Sequence, residues 1–313
     1  MTRNTWVSAA AAAAVAALAV AIMGCGTSGS AHAASAHGVI YAVGAENQYA
    51  NVLSQVGGKY VHVSAILENP NTDPHTFEAS AQVAQDVSSA QLIVQNGLGY
   101  DSWINRIESA TPSSGRKVIV AQQLLRLPDS APNPHLWYDP RTMPAVARAM
   151  AQDLSAIQPA HEAYFQANLT KFDNSLSPWL TAIAHFKSAN PHVAAATTEP
   201  VADYLLTAMG ITNLTPFRFQ ADIMNGVDPS PEDIALENGF FTQQHKVALF
   251  AYNQQVTSAL TTSIRANAHK NGVPVIGVYE TMPTPGYTYQ TWMLAEVTAI
   301  AKAVDSRVST EHL

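Results

Sequence analysis

Apolar residues recur along the chain in two rhythms. Short runs rich in β-branched residues predict strands at GVIYAV (38–43), VHVSAIL (61–67), LIVQNG (92–97), KVIVA (117–121), HVAAATT (192–198), VALFAY (247–252) and VPVIGVY (273–279). Helical patterns lie between them. NQYANVLSQVGG (47–58) ends on glycines that act as a stop, and SAQVAQDVSSA (80–90) opens on Ser80 as a cap. PSPEDIALENG (229–239) predicts a helix capped by Ser230, with Pro231 first, Asp233 completing a capping box and Gly239 as the stop. Residues 143–189 contain no strand signal. PAHEAYFQANLTKFDNSLSPWLTAIAHFKSA (159–189) reads as one long helix, or as two joined at Ser177-Pro178 with Ser177 as cap. The pattern predicts an α/β fold of two lobes, each a mainly parallel sheet flanked by helices, joined by one long helix. The boundaries are 38–157 for the first lobe, 158–189 for the linking helix and 190–313 for the second lobe.

The first residues depart from both rhythms. Arg3 is followed by an apolar, Ala-rich run that ends in AIMGC, which suits a signal peptide over residues 1–24. The junction resembles a bacterial lipobox, with Cys25 as the lipid attachment point; a later cut near AHAAS would instead discard it. Residues 25–37, rich in Gly, Ser and Ala, form a flexible tether. Cys25 is the only cysteine of 313 residues, so no disulfide can form within the chain and any site must use nitrogen and oxygen donors. The formal net charge of -7, with only 16 Lys+Arg, argues against nucleic acid as a partner. Cleavage before Cys25 removes Arg3 and no acid, moving the charge to -8.

Open α/β sheets bind ligands beyond the carboxyl ends of their strands. VHVSAIL leads into ENPNTDPH, which delivers His75, and the longer loop after KVIVA reaches NPH and His135. HVAAATT runs into Glu199, and VPVIGVY into Glu280. Two neutral imidazoles facing two carboxylates across a cleft form a charge-balanced nest for one divalent cation. Each residue also has a bland reading. His75 could be a loop histidine, and His135 with Trp137 and Tyr138 an aromatic cluster. Asp139 can cap the helix that follows, Glu199 can cap VADYLLTAMG, and Glu280 can sit in solvent at a loop start. The other nine histidines lie in the tether, in strands, on helical stretches or in the tail, and His192 stands at the amino end of its strand, away from the site.

The segments GGKYVHVSAILENPNTDPHTFEAS, NPHLWYDP, TTEPVADYLLTAMG and VYETMPTPGYTYQTWMLAEV, in this order, resemble the solute-binding receptors for zinc, manganese or iron that serve bacterial ABC importers. The resemblance runs from about His37 to about Val304. It implies two α/β lobes joined by a long helix, metal in the inter-lobe cleft, and His75, His135, Glu199 and Glu280 as ligands. Glu199 stands where many zinc receptors have histidine, Glu280 where aspartate is common, and a His- and acid-rich loop is missing. This donor set favours Mn2+ over Zn2+ by a small margin, with Fe2+ also compatible. The resemblance further implies a monomer held at the outer face of the cytoplasmic membrane, or in the periplasm, that loads an ABC permease dimer with its ATPase. The rivals are a metal-dependent hydrolase, for which no zincin motif is present, and an adhesin or structural lipoprotein stabilised by metal.

Overall fold

A computed structural model of the chain describes residues 38–70, 74–243, 246–283 and 285–313. Cys25 and the segments assigned to the signal peptide and tether, residues 1–37, lie outside the described residues. Eight strands are present: β1 Ile40–Glu46, β2 Val61–Leu67, β3 Leu92–Gln95, β4 Lys117–Val120, β5 Ala194–Thr197, β6 Thr212–Asn213, β7 Leu249–Asn253 and β8 Val275–Val278. They form two four-stranded sheets, ordered β2-β1-β3-β4 and β6-β5-β7-β8, and every pairing is parallel. The second sheet repeats the order of the first. In each, the order reverses beside the first strand, which opens a crevice at the carboxyl ends.

Strands β3, β7 and β8 are buried along their whole length, as crossover helices on both faces require. The helix Asn47–Gly57 buries Tyr49, Val52, Leu53 and Val56, a stripe at helical spacing. The 159–189 segment resolves into two helices, Glu162–Ser175 and Ser177–Ala189, because Pro178 cannot continue the first. Ser177 is the first residue of the second helix rather than its cap; that position falls to Leu176, and no side-chain cap bond forms. The predicted helix after Ser230 does begin at Pro231, and Ser230 accepts the Asp233 amide. It runs on through Gly239 to Thr242, so that glycine is not a stop. The Asp233 carboxylate does not close a capping box: its Oδ1 accepts Arg218 Nε at 2.8 Å and its Oδ2 accepts the Ser230 hydroxyl at 3.0 Å. Among the described residues, no helix is long and apolar enough to cross a membrane.

One apolar core joins the two sheets. It includes Leu92, Trp137, Tyr138, Trp179, Leu249, Tyr289 and Trp292. Trp179 meets Tyr289 edge to face at 5.8 Å and Tyr138 meets Trp292 likewise at 5.6 Å, so the helices 177–189 and Tyr289–Ser306 are locked to the NPHLWYDP loop. The helix Tyr289–Ser306 carries an ionisable group inside its buried stripe, Glu296. Its Oε1 lies 3.0 Å from Tyr138 Oη and 3.1 Å from Trp292 Nε1. Burial pushes this carboxyl up to about 8, only partly offset by those two bonds. The unfolded chain ionises Glu296 near 4.5 while the fold keeps the proton to about 8, so the stability it contributes is lost as pH rises through that window. Glu296→Gln is therefore expected to flatten the fall in stability between pH 5 and 8, read by urea denaturation at both pH values. A slope unchanged from wild type would show that Glu296 ionises within the fold.

Candidate metal site

The two histidines arrive on loops of different construction. His75 sits in the single turn Pro74–Thr76 beyond β2, its side chain 24% exposed. His135 is fully buried just before the turn Leu136–Tyr138, with Trp137 in edge contact at 5.4 Å. From the second sheet, Glu280 stands two residues beyond β8 and is also fully buried. Glu280 Oε2 lies 3.1 Å from His75 Nε2 and 3.4 Å from His135 Nε2. One donor atom from each of the three residues falls within 4.8 Å of the others. Bonds of about 2.0–2.1 Å to a single cation would set neighbouring donors roughly 3.0–3.4 Å apart, which the two distances to Glu280 match.

The His135 tautomer follows from its neighbours. Nδ1 lies 2.8 Å from Asn133 Oδ1, which also accepts the His135 backbone N–H at 3.0 Å. The Asn133 amide nitrogen is committed to Pro200 O at 2.8 Å, so its oxygen must face the ring. Nδ1 therefore carries the proton and Nε2 presents a lone pair. That lone pair has no hydrogen-bond partner, although a carboxylate oxygen lies 3.4 Å away. Burial drives the His135 pKa down, outweighing the attraction of Glu280, so protonation is not the remedy. For Glu280, burial raises the pKa, and only a hydrogen-bond donor or positive charge at the two facing nitrogens brings it below the usual carboxylate range. A bare nitrogen facing an ionised carboxylate in a dry site fits a cation between them.

Glu199 is buried beyond β5, and the helix after it starts at Asp203 with Ala202 at the cap position, so Glu199 is not that helix's cap. It stands outside the compact trio but is joined to it: Asn253 Nδ2 donates to Glu199 Oε1 at 3.0 Å and to Glu280 Oε1 at 2.7 Å. Asp139 does meet the next turn, accepting the Arg141 N–H at 2.9 Å, although the helix itself opens at Thr142. Glu78 is exposed and does not belong to the trio.

Several residues beyond the four expected ligands shape the site. Tyr100 donates its hydroxyl to Glu280 Oε2 at 2.9 Å. It is delivered by the loop Gly97-Leu98-Gly99, whose three residues all have positive φ. A side chain at Gly97 would also strike Gln122. The Asp101 carboxylate ties that loop by accepting the Gly97 N–H at 3.0 Å, and burial pushes Asp101 up to about 6. Asn96 links the same loop to the histidine loop, donating to Pro134 O at 2.8 Å. On the other side, Gln255 Oε1 accepts the backbone N–H groups of Glu280 at 2.6 Å and Thr281 at 2.9 Å. Asn96, Asn253 and Gln255 all lie at or just past strand ends, so the rule that flagged the ligands would have found them had it been extended to amides.

Against known families, the model for ZnuA, described as zinc-uptake complex component A, periplasmic, matches residues 43–303. The chain belongs to this family. The zinc-binding protein TroA of Treponema pallidum is 25% identical over 148 residues, 46% of this chain and 48% of that protein. The manganese-binding lipoprotein MntA of Bacillus subtilis is 25% identical over 137 residues, 42% of this chain and 44% of its own. The chain thus spans about half the length of the curated relatives it matches. The solved structure of the periplasmic zinc-binding protein TroA superposes with a TM-score of 0.71 at 18% identity, covering 87% of this chain and 100% of that one, which shows the shared two-lobe fold. In this ZnuA-family chain, the trio lies between the carboxyl ends of the two sheets, where His75 and His135 face Glu280.

Proposed function

We propose that the protein is an extracytoplasmic receptor that captures one divalent transition metal ion, manganese or zinc, and delivers it to an ABC importer. The ligands are His75, His135 and Glu280, with Glu199 as the fourth, drawn from the lobes 38–157 and 190–313 on either side of the segment 158–189. The observation that carries this reading is the buried, unpartnered Nε2 of His135 facing the Glu280 carboxylate at 3.4 Å. A proton is disfavoured there by burial and an empty gap is electrostatically costly, whereas a dication satisfies both groups. The names of TroA, zinc-binding, and MntA, manganese-binding lipoprotein, support the ligand class.

The metal is cargo, and the protein is a receptor rather than an enzyme. Lipid on Cys25 would hold it at the membrane within reach of a permease dimer and its ATPase. Binding needs neutral imidazoles and ionised carboxylates, so acid competes with metal for the same atoms. The depressed pKa of His135 keeps its nitrogen available further into the acid range than a free imidazole would allow. Metal analysis of protein purified without added metal, followed by titration of the stripped protein, tests the proposal. The expected result is one reversible equivalent per chain at micromolar or tighter affinity, weakening as pH falls through the histidine range, without hydrolytic turnover. Failure to bind any divalent ion would refute it.

A further inference from the structure

Glu199 and Glu280 follow different strands, β5 and β8, and β7 runs between those strands in the sheet. The last residue of β7 is Asn253, fully buried, and its amide group has two hydrogens. One points to Glu199 Oε1 at 3.0 Å and the other to Glu280 Oε1 at 2.7 Å. The amide cannot turn over. Its Oδ1 accepts the Gln255 N–H at 2.9 Å, and a flip would set that oxygen against two carboxylates. Its backbone is fixed as well, with Asn253 N donating to Thr198 Oγ1 at 3.0 Å. Gln255 then holds the Glu280 backbone N–H at 2.6 Å, so both carboxylates hang from one rigid amide pair.

We propose that Asn253 is a specificity-determining residue: its hydrogen bonds draw Oε1 of each carboxylate and compete with metal for it, so that each carboxylate favours a single metal bond and the site favours zinc over manganese. The inference rests on the metal-receptor reading of the same site. Two imidazole nitrogens and two single carboxylate oxygens make four donors, the number and type with which zinc is content in tetrahedral geometry. Manganese prefers six oxygen-rich positions, which the protein donors of this site supply by themselves only if both carboxylates chelate through two oxygens. Donor chemistry alone leans towards manganese; the restraint from Asn253 works in the opposite direction. Asn253 itself touches no metal in this account and acts as a positioning residue for Glu199 and Glu280.

The test compares zinc and manganese affinities by competition in wild type and Asn253→Ala, together with the visible spectrum of the Co2+-loaded proteins. Four-coordinate Co2+ absorbs strongly and six-coordinate Co2+ weakly, so the spectrum reads coordination number directly. Wild type is expected to give the strong spectrum. In the variant the bands should weaken and the zinc-to-manganese preference should fall at least about tenfold, the scale of either of the two charge-assisted hydrogen bonds lost. A weak, six-coordinate spectrum in wild type overturns the inference even if the variant does not fold. An unchanged preference and spectrum in a folded variant overturns the role of Asn253 alone. Wild-type protein that binds none of the three ions overturns the site itself, and this inference with it.

Discussion

Glu280→Gln is expected to weaken zinc and manganese binding at least about 100-fold, beyond the 10- to 100-fold usual for loss of a residue that only supports a ligand. The substitution keeps the shape and removes the charge. Glu280 is fully buried, and its Oε2 lies near both His75 Nε2 and His135 Nε2. Its other oxygen is held by Asn253 at 2.7 Å. A neutral amide leaves two imidazoles without their counter-charge for a dication, and places either an N–H or a weaker carbonyl donor at the metal position. Titration calorimetry on stripped protein reads the effect. His192→Ala serves as the control: His192 precedes β5, at the end opposite Glu199, and affinity should not change. Equal losses in both variants would contradict the assignment of the site to the carboxyl ends of the strands.

Trp137→Ala is expected to lower stability by about 3–5 kcal/mol, the range for deleting a large buried aromatic. Trp137 is fully buried in the core that joins the two sheets, and its carbonyl accepts the Tyr289 hydroxyl at 2.7 Å. Its ring also packs edge-on against His135 at 5.4 Å and Tyr100 at 5.1 Å. The same cavity that destabilises the core would therefore loosen one ligand and the tyrosine that donates to another. Urea denaturation of the metal-free protein measures the first effect, and metal affinity well below the unfolding midpoint measures the second. A loss under 1 kcal/mol would mean that the surrounding core collapses into the space.

Much of this architecture was legible because burial leaves a periodic mark. VHVSAIL coincides with β2 at residues 61–67, and the carboxyl-end rule led to His75, His135 and Glu280. What escaped has physical reasons. The strand β6 has two residues, Thr212 and Asn213, too few to show alternation. The expected capping box at Ser230 failed because the Asp233 oxygens are engaged elsewhere, one by Arg218, 15 positions before it, and one by the Ser230 hydroxyl. The Tyr100 hydroxyl meets Glu280 across 180 positions, and Asn253 meets Glu199 across 54. Neither amide nor phenol has a local spacing that reveals such a partner. Glu199, read equally as a cap or a ligand, lost the cap reading once its helix was seen to begin at Asp203.

The central claim is that one cation sits between His75, His135 and Glu280. A crystal grown with zinc, examined by anomalous scattering at the zinc edge, tests it most directly. The account predicts one dominant peak bonded to His75 Nε2, His135 Nε2 and Glu280 Oε2 at about 2.0–2.2 Å, with Glu199 completing the shell. A peak at other side chains, or none in the cleft, would contradict it.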